Sequence, residues 1–231
     1  MFLYQEENGY LFNSDSHFLY DFITKFNPKG ELLDIGCGCG ILGLLTARDF
    51  PVTLTSIDKQ EKNSFITSKN AQINNLNSHV IKENFITHNF NKEFDFIISN
   101  PPYYHDGVSK SENKSLHISR YNTHLPIETF IQKVKKLLKN RGHFIFCYDS
   151  SSLSELMSCL KDAKLQIEDI RFVHGTALKP SSLVLIHARK GSKAKLKVHP
   201  PLINMENKEP TKEVKTIYQK TRTYSIKCTI L

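Results

Sequence analysis

The sequence predicts an α/β protein built on a doubly wound, mostly parallel, seven-stranded sheet that finishes in an antiparallel strand pair. Three observations carry that expectation. Short apolar and β-branched runs alternate with helix-patterned stretches long enough to cross over between parallel strands. Runs such as "FDFIIS" and "HFIFCY" are apolar almost throughout, as strands covered on both faces must be. The last two strand-like runs, "LQIEDIRFVH" and "SSLVLIHARK", have no helix between them and so read as a terminal pair.

Taken in order, "FLYDFITKF" reads as a leading helix, "ELLDIG" as a first strand, "GILGLLTARDF" as a helix and "PVTLTSID" as a second strand. "QEKNSFITSKNAQINN" has a helical period, "HVIKENF" is a third strand and "FDFIIS" a fourth. "PIETFIQKVKKLLKNRG" is an amphipathic helix: Pro126 suits its first turn, Phe130, Val134, Leu137 and Leu138 share a face, and Gly142 ends it. "HFIFCY" is the fifth strand, and the serines of "SSLSELMSCLKDAK" can cap the helix that follows. Residues 1–202 form one domain on this reading. Residues 203–231 are set apart as a basic extension that is partly mobile, because "NMENKEPTKEVK" is too polar to bury itself.

Composition narrows the class. With 39% hydrophobic and 23% charged residues the chain is that of a soluble globular protein. No uncharged apolar run approaches the roughly 18 residues a membrane span needs. The N-terminus "MFLYQEENGY" has no basic region and carries two glutamates, so export is not expected. The five cysteines, at 37, 39, 147, 159 and 228, have neither zinc-site nor disulfide spacing, which points to a reducing, cytoplasmic setting. The ten histidines are scattered, and no metal is expected. The net charge of +8 is concentrated late: from Lys179 onward, twelve lysines and arginines face three glutamates. Such a segment either solubilises the surface or meets a polyanion.

In a doubly wound sheet ligands bind beyond the carboxyl ends of the strands. The motifs lie there. "LLDIGCGCG" places Gly36, Gly38 and Gly40 between the first strand and its helix, with Asp34 two residues ahead. Glycines there allow a tight turn and let a ligand approach the main chain. Their spacing is G-x-G-x-G, unlike the G-x-G-x-x-G of dinucleotide enzymes. Cys37 and Cys39 serve this loop as small residues. Asp58 ends the second strand, where a carboxylate can accept both hydroxyls of a ribose or cap the next helix. After the fourth strand, "SNPPYY" offers two acceptors, the Asn100 side-chain oxygen and the Pro101 carbonyl, on a backbone that Pro101 and Pro102 stiffen without adding donors. Tyr103, with Tyr104 beside it, offers a flat face on which a base can stack.

Together the glycine loop, Asp58 and the N-P-P-Y stretch resemble the class I S-adenosylmethionine-dependent methyltransferases that act on planar amines. The resemblance implies S-adenosylmethionine as cofactor, held by Asp34, Gly36, Cys37, Gly38, Gly40, Asp58, Asn84 and Asn100. The family usually has an acid where Asn84 stands; Glu83 is the alternative. It also implies that Asn100, Pro101, Pro102 and Tyr103 clamp the amine that receives the methyl group. Three substrate classes use this clamp: adenine in RNA, adenine in DNA, and the glutamine of peptide release factors. Release-factor enzymes carry a helical domain ahead of the glycine loop, whereas 33 residues precede Asp34 here. DNA enzymes of the type add a recognition domain.

The chain therefore resembles the bacterial tRNA (valine) adenine-N6 methyltransferase family, also through "GYLFNSDSHFLYDFI", "HISRYNTHLPIETFI" and "FVHGTALKPSSLVLIHARKG". On that resemblance Ser14 or Asp15 lies near the cofactor. Tyr103, Tyr104, Arg120, Lys179, Arg189 and Lys190 meet the tRNA. The remaining alternatives are glutamine methylation of a protein, methylation of another RNA amine, and a catalytically silent RNA-binding protein.

Overall fold

The computed structural model describes residues 1–7, 11–101 and 127–229. Along the chain run β1 (Phe2–Glu6), α1 (Ser14–Thr24), β2 (Gly30–Ile35), α2 (Ile41–Asp49), β3 (Val52–Asp58), α3 (Glu61–Ile73), β4 (Ser78–Lys82) and β5 (Phe94–Ser99). Then come α4 (Ile127–Leu137), β6 (Leu138–Asp149), α5 (Leu153–Asp162), β7 (Leu165–His174) and β8 (Ser181–Lys190). The chain continues through β9 (Lys197–Val198), β10 (Leu202–Ile203), β11 (Met205–Glu206), β12 (Glu209–Pro210), α6 (Lys212–Thr221) and β13 (Tyr224–Cys228).

Seven strands form the body of the main sheet in the order β4-β3-β2-β5-β6-β8-β7, and the two-residue strands β9 and β10 line the free edge of β7. Only β8 runs against its neighbours. The strand order reverses between β2 and β5, so right-handed crossovers place α2 and α3 on one face and α4 and α5 on the other. That reversal opens a crevice above the carboxyl ends of β2 and β5. The expected sheet is present, with two edge strands more than the sequence pattern distinguished.

The strands are held by a core that runs through both faces. Leu32, Leu33, Ile97, Ile98, Phe144 and Ile145 are each 0% exposed, and burial of a side chain of this size contributes about 1.5–3 kcal/mol. On α1, Phe18, Leu19, Phe22 and Ile23 turn inward, while Asn13 caps the helix by accepting from Asp15 N at 3.0 Å. The helix expected to run to Gly142 stops at Leu137. Leu138 instead pairs with Phe94 as the first residue of β6, and the ladder resumes five residues later along β6, with His143 opposite Phe96. Burying Leu138 on the sheet outweighs one more helical turn, because Lys139, Asn140 and Arg141 have no apolar face to offer.

The residues after 202, over their described part, lie on the body. Val214 and Ile217 of α6 are buried, His17 Nδ1 and Thr221 Oγ1 lie 3.0 Å apart, and Arg48 donates to the Thr221 carbonyl at 2.6 Å. β13 then pairs in parallel with β1, and the N-terminal ammonium donates to the Arg222 carbonyl at 2.7 Å. Neither terminal strand carries a clear alternating pattern in the sequence, so each is visible only once the other is beside it.

Candidate active site

The glycine loop leaves β2 and turns under the end of β3. Gly36 and Cys37 donate their backbone N–H groups to the Ile57 carbonyl at 2.9 and 3.2 Å, and Gly40 donates to the Cys37 carbonyl at 2.7 Å. Gly36 and Gly38 have φ of +68° and +59°, and a Cβ on either would meet nothing within 4 Å. Their empty side faces the pocket, so a ligand can lie directly on the main chain. Gly40, by contrast, is packed: a Cβ there would come within 2.9 Å of Leu44 and Thr67.

α3 fixes the loop from behind. Thr67 Oγ1 donates to the Gly38 carbonyl at 2.9 Å, and Asn70 Nδ2 donates to the Cys39 carbonyl at 2.8 Å. The same Asn70 side chain accepts from Tyr4 N at 2.7 Å, which ties β1 to the loop. The sequence reading did not find this link; an asparagine inside a helix, where it costs propensity, was the available signal. Cys37 and Cys39 are buried, and burial pushes their thiols up, Cys39 to about 12. They fill space as protonated groups.

Two carboxylates converge on the pocket. Asp34 is 1% exposed and accepts from Gly43 N at 2.9 Å. Burial raises its pKa to about 7; the Gly43 hydrogen bond opposes that and the Asp58 charge adds to it. Asp58 accepts from Gln60 N at 2.8 Å on one oxygen, and from Gly38 N at 3.0 Å and Asn63 Nδ2 at 3.2 Å on the other. Burial raises its pKa as well. A carboxylate has about four acceptor positions and three are used here, so these bonds leave Asp58 one position for a ribose hydroxyl.

Asn84 reaches the pocket too, but its Oδ1 already accepts from Ile86 N at 2.9 Å. Glu83 lines the same wall, with its carboxylate 2.8 Å from His88 Nδ1. Phe85, 6% exposed and packed edge-on against Phe130, supplies an apolar wall that the sequence reading missed. Phe12 and Ser16 close the side nearest α1.

Asn100 follows β5 at the strand reversal and completes the pocket. Its Nδ2 donates to Ser16 Oγ at 3.4 Å, and its Oδ1 accepts from Cys147 Sγ at 3.0 Å. Pro101 is buried beside it. Pro102, Tyr103, Tyr104 and Arg120 lie outside the described residues.

The basic residues grouped by the sequence do not come together. Lys179 precedes β8 and stands at the catalytic edge of the sheet, whereas Arg189 and Lys190 end that strand. Ten extended residues span about 33 Å, so these two cations sit at the opposite edge. There Arg189 donates to the Arg141 carbonyl at 2.9 Å and lies 3.8 Å from Glu168, while Lys190 lies 3.8 Å from Glu93 and donates to the Leu138 carbonyl at 2.5 Å. Antiparallel β8 thus carries these two cations away from the pocket.

The same distal end holds one metal-capable group among the described residues, Glu168, Asp169 and His187. Its donors are engaged with each other and with neighbours: Asp169 bonds His187 Nδ1 at 2.9 Å and His199 Nε2 at 2.7 Å, and His187 Nε2 meets His143 Nδ1 at 3.0 Å. No helix of the described residues is long and apolar enough to cross a membrane.

A glycine cradle open to main-chain approach, two acids at the ends of adjacent parallel strands and a crevice at the strand reversal define a class I S-adenosylmethionine-dependent methyltransferase fold. Residues 12–162 match the methyltransferase small domain family, and the chain belongs to it. A release factor glutamine methyltransferase of Flavobacterium psychrophilum is 30% identical over 164 residues, covering 62% of this chain and 56% of that protein. A tRNA1(Val) (adenine(37)-N6)-methyltransferase of Pedobacter heparinus is 25% identical, covering 67% of each. The chain thus spans between about half and two thirds of the length of these relatives. The fold is shared with a crystal structure of a predicted O-methyltransferase from Agrobacterium tumefaciens, with a TM-score of 0.69, 17% identity, and coverage of 92% of this chain and 99% of the other.

S-adenosylmethionine is the cofactor of this site, and the residues present fit it. Gly36 and Gly38 leave main-chain space, Asp58 can take a ribose hydroxyl, and Asp34 answers a cationic ligand. A pH dependence follows. Asp34 is largely neutral below pH 7, so a cationic cofactor must displace its proton, and affinity rises with pH until the carboxylate is ionised. Titration calorimetry should find binding about tenfold tighter at pH 7 than at pH 5.5; Asp34→Asn should be weaker overall and flat across that range. The packing around Asp34 gives a second expectation. A Cβ on Gly43 would stand 2.8 Å from Asp34 Oδ2 and 2.9 Å from Leu54 Cδ1, so Gly43→Ala should lower the melting temperature and weaken cofactor binding together.

Proposed function

We propose that this chain methylates the exocyclic N6 amine of an adenine in tRNA. The observation that carries the reading is the place of Asn100: a carboxamide held at both ends by the protein, at the strand reversal, on the rim of the cofactor pocket. When bound, the cofactor supplies an electrophilic methyl group. An adenine amine is a poor nucleophile because its lone pair is delocalised into the ring. The Asn100 oxygen accepts one N–H of that amine and the Pro101 carbonyl the other, which favours a pyramidal nitrogen with its lone pair free to attack. The proton leaves after transfer, and no general base is required.

The choice of RNA rests on charge and on relatives. The β7–β8 turn carries Lys179 and a 97% exposed Leu178, and it projects two to three strands from β5, about 10–15 Å at strand spacing. A polynucleotide entering the clamp passes within reach of that turn. The curated relatives include three tRNA1(Val) adenine-N6 methyltransferases. Lys179→Glu should raise KM for RNA several-fold and lower the slope of log K against log salt by about one to two charges' worth. Lys193→Glu, at the opposite edge, should change neither.

The release-factor relative, at 30% identity, favours a second reading in which the clamp takes a glutamine side-chain amide. Offering labelled cofactor with unmodified tRNA and with unmethylated release factor in parallel separates the two. Label on tRNA alone is the expected result; label on the release factor alone would replace the first reading with the second.

A further inference from the structure

Asn100 can serve an amine only if its oxygen, not its nitrogen, faces the N–H bonds. Nothing in an asparagine side chain decides that by itself, since a half-turn exchanges the two ends at almost no steric cost. Its neighbours must decide it. β6 runs beside β5 with Ser99 opposite Phe146, which sets the next residue, Cys147, against Asn100. Cys147 is 0% exposed and its Sγ lies 3.0 Å from Asn100 Oδ1. Burial holds this thiol far above its ordinary pKa, so it stays S–H. At the other end of the amide, Ser16 Oγ accepts from Nδ2.

We infer that Cys147 is a positioning residue for methyl transfer: its S–H donates to Asn100 Oδ1 and locks the carboxamide in the orientation that accepts the substrate amine. An amide oxygen has two lone pairs, so one remains for that amine. The inference rests on the amine-clamp reading above. A thiol is a weak donor, and its contribution lies in direction more than in strength. A reversed amide would set two donors against each other at the point of reaction. The cysteine that bonds Asn100 is Cys147, whereas Cys37 Sγ contacts Thr67 Oγ1 at 3.4 Å.

Three measurements on the full chain test it. Cys147→Ala, which removes the donor, should lower kcat about tenfold with cofactor affinity and KM for RNA within about twofold. Cys147→Ser, which restores a donor, should recover most of that loss. The S–H stretching band of Cys147, assigned by its disappearance in Cys147→Ser, should shift to higher frequency in Asn100→Ala, whether or not any variant is active. Equal kcat for the alanine and serine variants would overturn the inference, as would a band indifferent to Asn100. A wild-type protein that binds cofactor, shows the band shift and methylates no amine would instead overturn the clamp reading, leaving Cys147 as a packing partner of Asn100 without a positioning role.

Discussion

Asn100→Ala should abolish methyl transfer while leaving S-adenosylmethionine bound. The side chain meets the pocket at its rim, and its described contacts go to Ser16 and Cys147, not to the glycine loop or to either acid. Its removal takes away one of two acceptors for the amine at the moment its nitrogen becomes pyramidal. Loss of a single preorganised partner to a developing charge typically costs about 10²–10³ in kcat. Cofactor affinity, by contrast, should change by no more than about fivefold, because one hydrogen bond is worth about 1 kcal/mol. Asn100→Asp should retain part of the rate, since oxygen acceptors remain. A variant that lost cofactor binding in proportion to its rate would show that Asn100 holds the cofactor and does not address the substrate.

The second large effect is on binding. Asp58→Ala should weaken S-adenosylmethionine by about 100-fold or more, the equivalent of one to two charge-assisted hydrogen bonds. Two losses combine. The ribose acceptor disappears, and Gly38 N, Gln60 N and Asn63 Nδ2 lose the oxygen atoms that organise them. The second loss loosens the cradle itself, because Gly38 is a member of the glycine loop. Calorimetry reads the affinity directly, and KM for RNA measured at saturating cofactor should be unchanged. An unaltered dissociation constant would leave Asp58 with a structural role alone, through its bonds to Gly38, Gln60 and Asn63.

Much of this was legible in the sequence because the decisive features are local. The sheet announces itself through apolar runs covered on both faces, and the site through glycines, an acid and an Asn-Pro pair that fall directly after strands. What stayed hidden depends on pairing across the chain. β1 and β13 are separated by more than two hundred residues and pair with each other, with β1 also packed on α3. The loop support from Asn70, the apolar wall at Phe85 and the contact of Asn100 with Cys147 arise where different elements meet, and no spacing rule connects them. The separation of Lys179 from Arg189 and Lys190 was hidden for a geometric reason: neighbours in sequence at the two ends of a ten-residue strand are far apart in space.

The central claim is that the pocket and Asn100 together deliver a methyl group to an adenine amine. It is tested most directly by incubating the wild-type chain and Asn100→Ala with labelled S-adenosylmethionine and unmodified tRNA, digesting the RNA to nucleosides and resolving them by chromatography. The account predicts label in N6-methyladenosine from the wild-type reaction and none above background from the variant. Label in a different nucleoside, or equal label from both proteins, would contradict it.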